Sequence, residues 1–234
     1  MQTTVCGVPC EYEMVKADSA ETLLFLHGWG GDIRSFAGAY KAASEWNVTC
    51  INFAFPKSVP SSWGIYDYAA AVKIFLDGIG VKNPIIVGHS FGGRVAIILA
   101  SQGLCKGLVL TDSAGLKPRL NLRKKLRIAK YRHRVKCGKS LDGLGSKDYN
   151  NLDPEMRKVF VRIVNTHLDK LLPFVRCKTL IFWGNADRDT PVYMAKRLHR
   201  KISGSELVIV EGGHYAYVDA HYKFVTMLKS FVMD

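Results

Sequence analysis

The chain has no run of eighteen apolar residues and no basic-then-apolar leader, so nothing in it marks a membrane span or an export signal. No C-x-x-C pair occurs either. The six cysteines are scattered, and Cys50, Cys105 and Cys177 lie in or beside apolar strand-like runs, where a free thiol behaves as a small hydrophobe. That usage predicts a reducing, cytoplasmic compartment and no bound metal. There is no internal repeat, no low-complexity segment and no cofactor-binding motif. Acid is missing from one long stretch: between Lys117 and Lys139 stand eleven lysines and arginines and no Asp or Glu, which leaves only +2 of the net charge of +13 to the remainder. A basic balance ordinarily points to nucleic acid or a membrane surface, but here it belongs to one segment.

What is present is a chain of 234 residues, 48% hydrophobic, long enough for one substantial core and short for two. Thr3 to Val8 and Glu11 to Lys16 read as opening strands joined by a turn at Gly7-Val8-Pro9. Thr22 to Leu26 is a buried strand running into His27-Gly28-Trp29-Gly30-Gly31. Ile33 to Trp46 reads as a helix, Val48 to Phe53 as a strand, Phe55 to Trp63 as a loop, and Ile65 to Leu76 as a helix with Ala69, Val72 and Phe75 or Leu76 inward. Pro84 to Val87 is a strand, Arg94 to Ser101 a helix and Gly107 to Thr111 a strand. After an interval with no strand signal come Thr179 to Trp183 (strand), Val192 to Lys201 (helix), Glu206 to Val210 (strand) and Ala220 to Val232 (helix). Such alternation predicts an α/β fold with a doubly wound, mostly parallel sheet. Residues 1–115 and 178–234 would form its core, and 116–177 a helical cap inserted in a single domain.

Ser90 stands where a strand turns sharply into a helix, in Val87-Gly88-His89-Ser90-Phe91-Gly92-Gly93. Glycines two residues before and after the serine suit a turn with no room for a Cβ, and the first amides of the helix point at whatever lies beside the hydroxyl. Here the sequence resembles the α/β-hydrolase superfamily, whose G-x-S-x-G nucleophile elbow is matched by Gly88-His89-Ser90-Phe91-Gly92. The resemblance covers nearly the whole chain and implies a Ser, Asp, His order for the catalytic groups.

For the base, His214 follows the last strand in Glu211-Gly212-Gly213-His214. His199 lies in a basic helix, and His133, His167 and His221 sit in helical context. For the acid, Gly184-Asn185-Ala186-Asp187-Arg188-Asp189-Thr190-Pro191 resembles the superfamily's G-x-x-D-x-x-x-P segment, which singles out Asp187. Asp189 and Asp112 are its rivals, Asp189 also suited to capping the next helix. The superfamily's oxyanion hole maps onto the amides of Phe91 and Trp29. His27, Gly28 and His89 are expected about the substrate pocket, His27 chiefly by fixing its loop through both ring nitrogens. One departure from the pattern is the glycine-free Asn52-Phe53-Ala54-Phe55-Pro56-Lys57-Ser58, which predicts a bulkier loop there.

In the basic segment Leu122, Leu126 and Ala129 fall on one helical stripe. One reading is a lid whose apolar face covers the active site. A second turns some cations toward the pocket to favour an anionic ester, and a third attaches the segment to an acidic surface; Tyr131 as its one aromatic speaks against base stacking. Asp153 to Leu172 reads as further cap helix with Val159, Ile163 and Val164 or His167 inward, and Gly143 and Gly145 as a hinge. The expected function is a serine hydrolase acting on a small or medium ester. Carbon–carbon hydrolase, lactonase and amidase are alternatives on the same triad, and a non-catalytic ligand-binding protein is the rival from another class.

Overall fold

In the computed structural model, residues 1–119, 122–138 and 146–234 are described. Lys139 and the expected hinge at Gly143 and Gly145 lie outside them. Eight strands form one sheet: Gln2–Val5 (β1), Val8–Val15 (β2), Thr22–Leu26 (β3), Thr49–Ala54 (β4), Ile85–His89 (β5), Gly107–Thr111 (β6), Lys178–Gly184 (β7) and Ser205–Val210 (β8). Their order is β1-β2-β4-β3-β5-β6-β7-β8, antiparallel across β1, β2 and β4 and parallel from β4 onward. The helices are Ala37–Ala43 (α1), Ile65–Gly78 (α2), Phe91–Ser101 (α3), Leu122–Lys136 (α4), Lys147–Asn150 (α5), Pro154–Asn165 (α6), Tyr193–Lys201 (α7), Ala216–Asp219 (α8) and His221–Met233 (α9).

The two-residue period of the strands divides the core. Leu24, Leu26, Ile86, Leu108 and Leu110 pack on one face with residues of α2, α3 and α7. Leu23, Phe25, Ile85, Val87 and Val109 pack on the other with residues of α1 and α9. Burial on both faces is why these strands read as unbroken apolar runs.

Several boundaries differ from expectation. The first hairpin turns at Cys6-Gly7, not at Gly7-Val8-Pro9: both turn residues have positive φ (52° and 75°), and Val5 pairs with Val8. Pro9 then lies inside β2 opposite Thr4, at a position where the antiparallel ladder asks for no N–H from it, and pairing with β4 begins only at Glu11. Ile33 to Trp46 is split into a 3-10 turn, Ile33–Phe36, capped by the Asp32 carboxylate, and the shorter α1. The final helix is found where expected, as α9, with a separate short helix, α8, before it.

Between β6 and β7 the chain leaves the sheet and returns through a backbone bond, Leu168 N–H to Gly115 O at 2.8 Å. Of the expected apolar stripe of α4, Leu126 (62% exposed) and Ala129 do not face inward, and neighbouring Ile128 is exposed as well. With one cation at almost every second position, α4 has too little apolar surface to hold a face against the core. Helix α6 does so instead, through buried Met156, Val159 and Ile163. It is capped at its start by Asp153 with Pro154 in the first turn, as those residue types require. It ends at Asn165, so Val164 is exposed and His167 lies beyond the helix rather than on its inner face. The buried Arg94 of α3 anchors that end, donating to the carbonyls of Ile163 (3.0 Å) and Thr166 (2.8 Å), where a cation also meets the negative end of the helix dipole. Arg162 ties the same helix to the loop before α2 through the carbonyls of Ser61 (2.9 Å) and Trp63 (2.6 Å).

Candidate active site

Strand β5 ends at His89 and α3 begins at Phe91, leaving Ser90 alone to make the turn, at φ 47° and ψ −107°. A non-glycine residue rarely adopts that backbone, and its surroundings must over-determine it. Ser90 N–H donates to Thr111 O (3.3 Å) and Ser90 O accepts from Ala114 N–H (3.0 Å), which locks the turn to the end of β6. The flanking glycines are needed for space: a Cβ on Gly88 would lie 2.8 Å from Gly92 O, one on Gly92 would run into the Leu26 carbonyl, and one on Gly93 into the Ser113 side chain. Gly93 was not singled out by the five-residue pattern.

The hydroxyl of Ser90 lies 3.0 Å from His214 Nε2, and His214 Nδ1 lies 2.9 Å from Asp187 Oδ2. Three residues from loops after β5, β7 and β8 therefore stand in one hydrogen-bonded line. The Gly212-Gly213 turn that carries His214 folds tightly onto β7, where a Cβ on Gly184 would collide with the Gly213 carbonyl. Asp187 is buried and accepts from the Asp189 N–H (2.8 Å) and the Thr190 N–H (2.9 Å) on one oxygen, and from the Thr190 hydroxyl (2.6 Å) on the other. Thr190 is a positioning residue that the sequence pattern did not mark; only its place beside the loop proline hinted at a role.

Burial alone would favour the neutral forms of both partners. For His214 it is outweighed by the hydrogen bond and charge of Asp187, which hold the imidazole above its ordinary range. For Asp187 it is outweighed by the bonds from His214 and Thr190, which hold the carboxyl below its own. The rivals have other partners. Asp112 accepts from Gly184 N–H (2.9 Å) and Ala216 N–H (2.9 Å), so it ties β6 to the loops of Asp187 and His214 without touching the ring. Burial pushes its carboxyl up to about 6. Asp189 is exposed. Asp187, Asp189 and His214 do bring one potential metal donor each within 4.8 Å of one another, but the 2.9 Å contact between Asp187 and His214 is a hydrogen bond that occupies both donor atoms.

His27 is buried, with Nδ1 2.7 Å from Gly28 O and Nε2 accepting from Phe55 N–H at 3.0 Å. Burial lowers its pKa, so the neutral ring carries its proton on Nδ1 and fastens the glycine loop to the start of the Phe55 loop. His89 does not line the cavity. It lies beneath the site and donates Nε2–H to the His214 carbonyl (2.7 Å), with burial pushing its pKa down to about 3. The amides of Trp29 and Phe91 carry no hydrogen bond among the described residues, and Gly28, next to Trp29 in the chain, lies against Ser90: a Cβ there would sit 3.5 Å from Ser90 Cβ. Beside them opens a cavity of about 350 Å³ lined by Trp29, Phe55, Tyr68, Phe91 and Met156 among others, with Gly28 and His27 at its floor. Phe55, on the glycine-free loop, packs edge-on against Phe91 (4.9 Å) and His27 (5.1 Å).

The chain matches the alpha/beta hydrolase family over residues 23–226. It is 27% identical to the uncharacterized hydrolase YugF of Bacillus subtilis, over 87% of this chain and 86% of that one. It is 25% identical to the pimeloyl-[acyl-carrier protein] methyl ester esterase of Neisseria meningitidis, over 92% and 94%. Its fold superposes on an esterase from Exiguobacterium antarcticum with a TM-score of 0.80 at 19% identity, covering 100% of this chain and 99% of that one. Sheet order, elbow and family match agree: the chain belongs to the alpha/beta hydrolase family.

Proposed function

We propose that this hydrolase cleaves a small or medium carboxylic ester by acyl transfer, with Ser90 as nucleophile, His214 as general base and Asp187 as the group that orients it. The observation that carries the reading is the unbroken line from Ser90 Oγ to His214 Nε2 and from His214 Nδ1 to Asp187 Oδ2. Asp187 accepts a hydrogen bond from Nδ1–H, which fixes the tautomer that leaves Nε2 free to remove the proton of Ser90 as its oxygen attacks the carbonyl, and its charge then stabilises the imidazolium. The developing oxyanion is held by the amides of Trp29 and Phe91, each such donor worth about 3 kcal/mol in the transition state. His214 then returns the proton to the leaving alcohol, and water repeats the sequence on the acyl-enzyme.

Residues 116–177 act as a cap: α6, anchored by Arg94 and Arg162, brings Met156 to the wall of the acyl cavity. The Neisseria relative's name, a methyl ester esterase, supports the ester class. A cytoplasmic location fits six cysteines with no paired spacing. The test is a panel of p-nitrophenyl esters from acetate to decanoate with wild type and Ser90→Ala. Wild type turns over the shorter acyl chains, and the variant loses at least about a thousandfold while keeping its melting temperature. Retained turnover in the variant would exclude Ser90 as nucleophile.

A further inference from the structure

The acyl cavity has a polarity of its own. Among the described residues its lining contains no acid, and Lys57 is its single charged side chain. His27 also lines it, but both ring nitrogens are engaged within the protein. That leaves three polar side-chain groups on the lining with no hydrogen-bond or ion-pair partner among the described residues: the indole N–H of Trp29, the ammonium of Lys57 and the hydroxyl of Tyr68. Tyr68 is 1% exposed, and its ring is fixed edge-on against Trp63 (5.2 Å), Phe55 (5.9 Å) and Phe91 (5.0 Å). Burial raises its phenol well above the usual range, so the oxygen keeps its proton and remains a donor. The oxygen is not among the fully buried polar atoms left without a partner, so it reaches the space of the cavity, where a bound acceptor can take its proton. Lys57 is supplied by the glycine-free Phe55-Pro56-Lys57 loop and stands at the exposed side of the same cavity.

Resting on the acyl-transfer reading above, we propose that Lys57 and Tyr68 select an ester whose acyl chain bears a carboxylate. The apolar wall takes the methylene chain, the ammonium takes the charge, and the phenol donates to an acyl oxygen function that a plain hydrocarbon chain lacks. One cation beside neutral donors suits the single charge of a carboxylate better than the double charge of a phosphate monoester.

The experiment compares kcat/KM for mono-p-nitrophenyl adipate with that for p-nitrophenyl hexanoate, equal in chain length and different in charge. Wild type prefers the half-ester by about tenfold. The Tyr68→Phe substitution, which keeps the ring packing, lowers that preference by about tenfold, the effect of a hydrogen bond to a charged or strongly polar group. The Lys57→Met substitution lowers it by about fivefold, as expected for an ion pair near the surface. The readout is a ratio within each variant, so a general loss of activity cancels. Fluorophosphonate labelling of Ser90, run in parallel, separates the two ways of failing. A labelled enzyme that prefers hexanoate, or whose preference neither substitution moves, overturns the subsite; an enzyme that does not label overturns the acyl-transfer reading and the subsite with it.

Discussion

At the residue scale the site is governed by who holds whose proton. Asp187 raises the pKa of His214, so the imidazole becomes protonated at a higher pH than an ordinary histidine. The protonated ring cannot accept from Ser90, and activity is therefore lost as pH falls through that value. The account predicts an acid limb of kcat/KM centred above about 6.5, the usual histidine value. Substituting Asp187→Asn removes the opposite charge and moves the His214 titration, read by NMR, below wild type, while turnover falls about 10³–10⁴-fold. A His214 titration unchanged by that substitution would show that the two are not coupled. Ser90, Asp187 and His214 were legible because each sits in a short pattern of glycines at a strand end. Thr190 and Tyr68 were not, since one is a loop threonine beside a proline and the other lies on a helix whose inward stripe was read from Ala69, Val72 and Phe75. What they do depends on contacts with residues far away in sequence.

At the scale of elements, glycine and arginine set where helices sit. Leu26, His27 and Gly92 meet so closely that α3 crosses the end of β3 at backbone distance, and Gly92 N–H donates to His27 O at 3.0 Å. Strand positions were readable because both faces of the sheet are buried and the apolar runs are unmistakable. Helix ends were less so: periodicity over α6 carried on past Asn165, although the chain turns there onto Arg94. Replacing Arg94 with Met keeps most of the apolar stem but leaves the carbonyls of Ile163 and Thr166 without their buried donor. The expected loss is about 2–4 kcal/mol, seen as a melting temperature about 5–15 °C lower. A shift under about 2 °C would mean that α6 is held by its apolar face alone.

For the whole molecule, the basic segment and the hydrogen-bonded line of Ser90, His214 and Asp187 come from different parts of the chain. The family's sheet brings three loops to one edge, and the segment between β6 and β7 supplies α6 to the pocket while α4 shows Leu126, Ile128 and Lys130 to solvent. Composition located the basic segment but left open whether it faces pocket, solvent or a partner, because its stripe competes with cations at neighbouring positions; the apolar face packed into the core is that of α6, through Met156, Val159 and Ile163. Among the described residues no helix is long and apolar enough to cross a membrane.

The central claim is that Ser90 is made nucleophilic by His214 across a 3.0 Å contact. Reaction of the intact protein with a fluorophosphonate, followed by peptide mass spectrometry, reads that activation directly, since an ordinary serine does not react. The account predicts one adduct, on Ser90, formed in the wild type and absent from the His214→Ala variant. No adduct on Ser90, or an adduct formed equally well without His214, would contradict it.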